Sequence, residues 1–115
     1  MARYTSSFMI VVPHDSFYNL MKKVLESCNL EMVYNTNEYI MAREKPGKVP
    51  FAKLVTIEVL IDKNTGNETV IKISVVVKNE ELPLQINNHC QQIYNTVIEG
   101  ITAYSEWEII ESLNT

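Results

Sequence analysis

A chain of 115 residues, 46% of them hydrophobic, has material for one core and too little for two comfortable ones. Ten Lys and Arg against fourteen Asp and Glu give a net charge of -4, and no basic cluster interrupts the scatter, which argues against a non-specific nucleic-acid surface. Three glycines leave no loop to cradle a phosphate, so an ordinary nucleotide enzyme is not expected.

The opening M-A-R-Y-T-S-S-F-M-I-V-V-P carries one Arg and a short apolar run that meets Pro13, without a small-residue cleavage site. No apolar run approaches the ~20 residues of a membrane helix, so a cytoplasmic protein without membrane insertion is expected. Cys28 and Cys90 then stay reduced, and the glycosylation pattern at Asn67 goes unused.

Ser6 to Val12 reads as a β-branched strand with both faces apolar. After Pro13, Phe17, Leu20, Met21, Val24, Leu25 and Cys28 recur at steps of three and four, which predicts a helix over His14 to Asn29 capped by Asp15 or Ser16. The segments L-E-M-V-Y-N-T and E-Y-I-M-A-R-E flank Asn35, Thr36 and Asn37, a hairpin pattern. Pro46, Gly47 and Pro50 then mark Lys45 to Ala52 as the longest internal loop. Two alternating runs, Leu54 to Asp62 and Glu68 to Lys78, predict the strongest strands, joined by K-N-T-G-N. In the second, Ile71, Ile73, Val75 and Val77 form an apolar row that faces the core. A last helix begins near Asn87, capped by Asn87 or Asn88, with Ile86, Cys90, Ile93, Val97, Ile101 and Tyr104 on its stripe and Gly100 as a bend or break. Tyr94, Tyr104 and Trp107 are expected along this helix.

The order β-α-β-β-β-β-α predicts one α+β domain over residues 1–115, a curved five-stranded antiparallel sheet with two helices on one face. That order resembles the helix-grip and TATA-box-binding-protein-like class of architectures, and the resemblance implies no functional residue. The run V-V-V-K-N-E-E-L-P-L-Q-I-N-N-H-C-Q-Q-I-Y is similar to small conserved cyanobacterial proteins of unknown function, which implies no activity.

No catalytic, cofactor or metal site is expected. H-D-S at His14, Asp15 and Ser16 holds the residue types of a hydrolase triad, but consecutive residues seldom form one, and helix capping explains them better. His89 and Cys90 point about 100° apart on a helix, so they do not grip one metal ion. D-K-N-T-G-N-E lacks the ligand spacing of a calcium loop and reads as a turn. Cys28 and Cys90 fall on apolar stripes and act as small hydrophobes.

What remains is surface. Glu80, Glu81, Leu82 and Leu84 surround Pro83, either as a structural corner or as a knob for partner docking. From Glu99 to Thr115 there are four glutamates and no Lys or Arg. Within that end Trp107, ahead of Ile109, Ile110 and Leu113, is expected on a helix end that runs past Gly100 and is either covered by the sheet or packed on another chain. The outer sheet face alternates Leu54, Leu60, Val70 and Val76 with Thr56, Glu58, Lys72 and Ser74, a pattern that meets water, packs on another sheet or forms a binding groove. The expectation is therefore a non-catalytic adaptor that holds another protein or a second copy of itself. The rival is a small-molecule module whose sheet and long helix enclose an apolar cavity lined by Met32, Tyr39, Met41 and Tyr94. An enzyme using His14 or His89 comes third.

Overall fold

The computed structural model of the chain describes residues 1–82 and 88–114. Its elements are β1 (Ala2–Val11), α1 (His14–Ser27), β2 (Leu30–Asn35), β3 (Tyr39–Glu44), β4 (Thr56–Asp62), β5 (Val70–Asn79), α2 (His89–Thr102) and β6 (Glu108–Asn114). The fold is α+β, and the sheet is antiparallel with order β2-β3-β4-β5-β1-β6. Among the described residues it has six strands rather than the five expected, because the chain beyond Thr102 turns back and adds β6 to β1.

One face of this sheet is covered. Ile71, Ile73, Val75 and Val77 are fully buried as expected, beside Ile57 and Val59 of β4 and Phe8 and Ile10 of β1. Phe17, Met21, Val24 and Leu25 from α1 and Cys90, Val97 and Ile101 from α2 join them in one apolar cluster. Each large aliphatic or aromatic side chain there contributes about 1.5–3 kcal/mol of transfer free energy, so this layer supplies most of the driving force for folding. The helices meet at Gly100, where a Cβ would lie 3.3 Å from Val24 Cγ1. Glycine there permits close approach rather than a break, and α2 runs through it to Thr102.

Local chemistry at the helix ends differs in part from expectation. Neither Asp15 nor Ser16 caps α1; Pro13 holds that position with no side-chain bond. Proline needs no acceptor for an amide it lacks, and its fixed φ suits a helix start. His14 instead turns its Nε2 to the Val70 carbonyl, 2.9 Å away, which ties α1 to the start of β5. Asn29 takes the left-handed φ of 64° that ends α1. For α2 the expected cap forms, as Asn88 Oδ1 accepts from the Gln91 amide at 3.1 Å. Asn87 and Ile86 lie outside the described residues.

The K-N-T-G-N segment is a turn, as expected. Gly66 has φ 77°, Asp62 Oδ1 accepts from the Asn64 amide, and Thr65 donates to the Val70 carbonyl at 2.7 Å. Phe51–Lys53 form a single 3-10 turn within the long loop before β4, and Leu54 belongs to its exit rather than to the strand.

Candidate functional site

The acidic corner after β5 is a buried polar lock. Asn79 and Glu81 are both buried, and the amide of Asn79 donates to Lys53 O at 3.0 Å and to Glu81 Oε1 at 2.6 Å. Glu81 in turn accepts from the backbone amides of Cys90, at 2.8 Å, and His89, at 3.1 Å. A carboxylate thus sits on the unsatisfied donors at the positive end of α2. Burial works against its ionisation, but the bonds from Asn79, Cys90 and His89 outweigh it and hold the Glu81 carboxyl below its ordinary range.

From the same helix end, the His89 side chain reaches across to β3. Its Nε2 donates to the Glu44 carboxylate, 2.8 and 2.9 Å from the two oxygens, and Glu44 also accepts from the Val55 amide at 3.2 Å. Glu44 is only 2% exposed while His89 is partly exposed, so this pair is a part-buried link between sheet and helix. No sequence signal joins residues 45 positions apart, and sequence reasoning missed the pair.

The chemistry of the corner is structural. Cys90 is fully buried, and its thiol donates to the Val77 carbonyl at 3.5 Å. Burial, then the nearby Glu81 charge, push that thiol up to about 12, so it stays protonated and is a poor nucleophile. Burial also raises the Cys28 thiol, and both cysteines are free. Among the described residues no group of three His, Cys, Asp or Glu side chains is placed to hold a metal ion.

The five residues singled out for docking fall into different environments. Glu80 is exposed and Leu82 is 70% exposed, whereas Glu81 is buried in the lock just described. Leu84 lies outside the described residues. Trp107 does not overhang anything: it follows α2 in a turn, is 8% exposed, and stacks on Phe17 with ring centroids 5.9 Å apart. Tyr104 meets it edge-on, and the indole N–H donates to the Ile101 carbonyl at 2.8 Å. That bond satisfies one of the orphan carbonyls at the end of α2, which helps the helix close there instead of running on.

The cavity expectation depended on four residues sharing one side of the sheet. They do not. Tyr39 and Met41 pair with Leu60 and Glu58 on the outer face, while Met32 and Tyr94 pack against the core on the inner one. Tyr94 stacks on Tyr4 and hydrogen-bonds Ser6.

The outer face is the remaining candidate, and strand register orders it into rows. Glu31, Arg43, Thr56, Lys78 and Arg3 form the first row across β2, β3, β4, β5 and β1. Tyr34, Met41, Glu58, Val76 and Thr5 form the second, and Tyr39, Leu60, Ser74, Ser7 and Leu113 the third. Asp62, Lys72, Met9 and Glu111 make the fourth, with Val70, Val11 and Glu108 beyond it. Leu60 is 49% and Leu113 61% exposed, although Val76 is buried even on this side.

At its centre Tyr39 donates to Glu58 Oε2 at 2.6 Å, and Lys78 Nζ lies 2.6 Å from Glu58 Oε1. The bond to Glu58, with burial, pushes the Tyr39 phenol up to about 12, while Lys78 and Tyr39 hold the Glu58 carboxyl below its ordinary range. The face is therefore a half-apolar surface with a polar clamp across β3, β4 and β5 and a Ser7–Ser74 hydroxyl bond of 3.0 Å between β1 and β5.

No protein-family model matches the chain, and no curated protein matches it. No helix among the described residues is long and apolar enough to cross a membrane.

Proposed function

We propose that the chain is a non-catalytic protein-binding module, an adaptor or assembly factor, that docks its partner on the outer face of the sheet. The observation that carries this reading is the uncovered third row, where Leu60 stands exposed beside Tyr39 and Leu113 is exposed on the edge strand β6, with Ser74 and Ser7 between them, while both helices pack on the opposite side. Exposed apolar side chains scattered singly mean little, but here they share one strand register. Docking thereby moves from Glu81 and Trp107, which have internal work, to the alternate residues of β1, β3, β4, β5 and β6. A cytoplasmic setting fits two buried thiols with no bridge between them. The architecture fits a helix-grip-like class, in which a sheet holds helices on one side.

The test is affinity capture with the purified chain as bait, comparing the wild type with Leu60→Arg, Leu113→Arg and, as an off-face control, Leu82→Arg. Specific partners lost with the first two variants and kept with the third support the reading. Identical capture by all four proteins refutes it.

A further inference from the structure

The loop between β3 and β4 leaves one aromatic ring almost bare. Phe51 is 87% exposed, more than any other large hydrophobic side chain among the described residues. It stands on the 3-10 turn Phe51–Lys53, which buries none of its own residues and is closed by bonds from the Lys53 amide to Pro50 O at 2.9 Å and from the Leu54 amide to Phe51 O at 3.2 Å. Pro46 and Pro50 have fixed φ, Gly47 takes a φ of 120° that few other residues adopt, and Lys53 O is tied to the Asn79 amide. A defined turn thus holds the ring out in water. Pro50 and Ala52 beside it are exposed and Val49 is half-buried, so the tip is apolar.

Cations surround this tip. Lys45 and Lys48 are exposed and Lys53 half-buried, and no Asp or Glu occurs between Lys45 and Val55. Because the loop leaves β3 at Glu44 and enters β4 at Thr56, it sits at the end of the sheet where Arg3, Arg43 and Lys78 form the first row. Six of the ten Lys and Arg are therefore gathered at one end by the fold, although they are scattered in the sequence. Most carboxylates of that end are engaged: Glu44 by His89, Glu81 by Asn79 and the α2 amides, Glu58 by Lys78 and Tyr39, and Glu26 by Lys22. Glu31 and Glu80 remain exposed against Arg3, Arg43 and the three loop lysines.

We propose that this loop is a membrane-contact site, which seats Phe51 in the headgroup layer of an anionic bilayer and sets Lys45, Lys48 and Lys53 against the lipid charges. An apolar tip ringed by lysines suits a surface that is apolar a few ångströms down and negative on top. Four residues on a protruding turn fall far short of the roughly 800 Å² that a specific protein interface buries on each partner. Single-stranded nucleic acid is taken up by successive aromatics along a basic groove, whereas Phe51 is the loop's one aromatic and its neighbours are aliphatic. One ring and a few cations make the contact reversible and sensitive to salt. The loop lies at the strand ends rather than on the outer face, so the inference stands independently of the binding reading above.

The test is co-sedimentation with phosphatidylcholine vesicles made with and without phosphatidylserine. The wild type is expected to partition onto the phosphatidylserine vesicles alone and to come off as salt is raised. At about fivefold for each cation near such a surface, Lys45→Gln/Lys48→Gln should lower partitioning roughly 25-fold. Phe51→Ser should lower it about tenfold or more, since the ring supplies the apolar part of the contact. Far-UV circular dichroism should be unchanged in both variants, whose replaced side chains are exposed. In Phe51→Trp the new indole should shift its emission to shorter wavelength on phosphatidylserine vesicles, above a constant background from Trp107, which is 8% exposed. Equal partitioning onto both vesicles, folded variants that partition like the wild type, or an unshifted Phe51→Trp emission overturns the proposal. Phe51-dependent binding of oligothymidylate by a protein that ignores vesicles also overturns it and assigns the loop to nucleic acid.

Discussion

The two faces of the sheet are built from alternating residues of the same strands, yet they differ in nearly every physical respect. On the inner face Ile57, Val59, Ile71, Ile73, Val75 and Val77 are closed off by helices, and its polar members are bonded, as Glu44 is to His89. On the outer face the aliphatics are thinned out among charges, and the strongest contact is the Tyr39–Glu58–Lys78 clamp. Because side chains alternate with period two, stability and recognition can occupy neighbouring positions in one strand and still be altered separately.

The sharpest way to break that division is to remove a residue of the inner layer. Trp107→Ala should cost about 3–5 kcal/mol in denaturant unfolding, because it empties the space against Phe17 and frees the Ile101 carbonyl. Partner capture by the fraction that remains folded should be unchanged. Were Trp107 a docking residue, the pattern would invert, with association lost and stability kept.

Next in size is the corner lock. Glu81→Ala leaves one hydrogen of the Asn79 amide and the His89 and Cys90 backbone donors without their acceptor, which should destabilise the fold by about 2–3 kcal/mol. The folded state holds Glu81 below the unfolded carboxyl value of 4.5, so its stabilisation is complete above that pH and is lost as pH falls through the lower folded value. Thermal melts from about pH 6 downward should show a shallower acid limb in Glu81→Gln than in the wild type.

On the outer face effects on stability should shrink. Tyr39→Phe removes one part-buried bond, about 0.5–1.5 kcal/mol. Ultraviolet titration should lose the phenol that ionises at about 12. Leu60→Arg should change stability by no more than about 0.5 kcal/mol while abolishing partner capture. A large unfolding penalty for this last variant would show that the outer face, too, is part of the core.

Much of this arrangement is legible in the residues. Steps of three and four mark α1 and the first turns of α2, and the alternation of Ile71, Ile73, Val75 and Val77 identifies the buried side of β5. The sixth strand is not legible, for a reason visible in its register. A bulge between Met9 and Ile10 inserts Ile110 into β6, so Ile109 meets Ile10 on one side and Leu113 meets Ser7 on the other. The extra residue breaks the alternation and leaves Ile109, Ile110 and Leu113 at spacings that mimic a helix, which draws Trp107 into the same error. Glu81 looks like surface because charge usually is, and only the fold brings the amides of His89 and Cys90 to it. The rows of the outer face have no counterpart in the sequence, since they exist only once the strands have taken their register.

The position of β1 carries a cost in time. It precedes every other strand in the chain, yet it lies between β5 and β6, with Ile10 opposite Ile71 and Ser6 opposite Asn114. A nascent chain must therefore keep an apolar ribbon unpaired until β5 has been made, and one edge of it open until β6 has, whereas the β2–β3 hairpin can close at once. Synthesis is the interval in which F-M-I-V-V is exposed to misassembly.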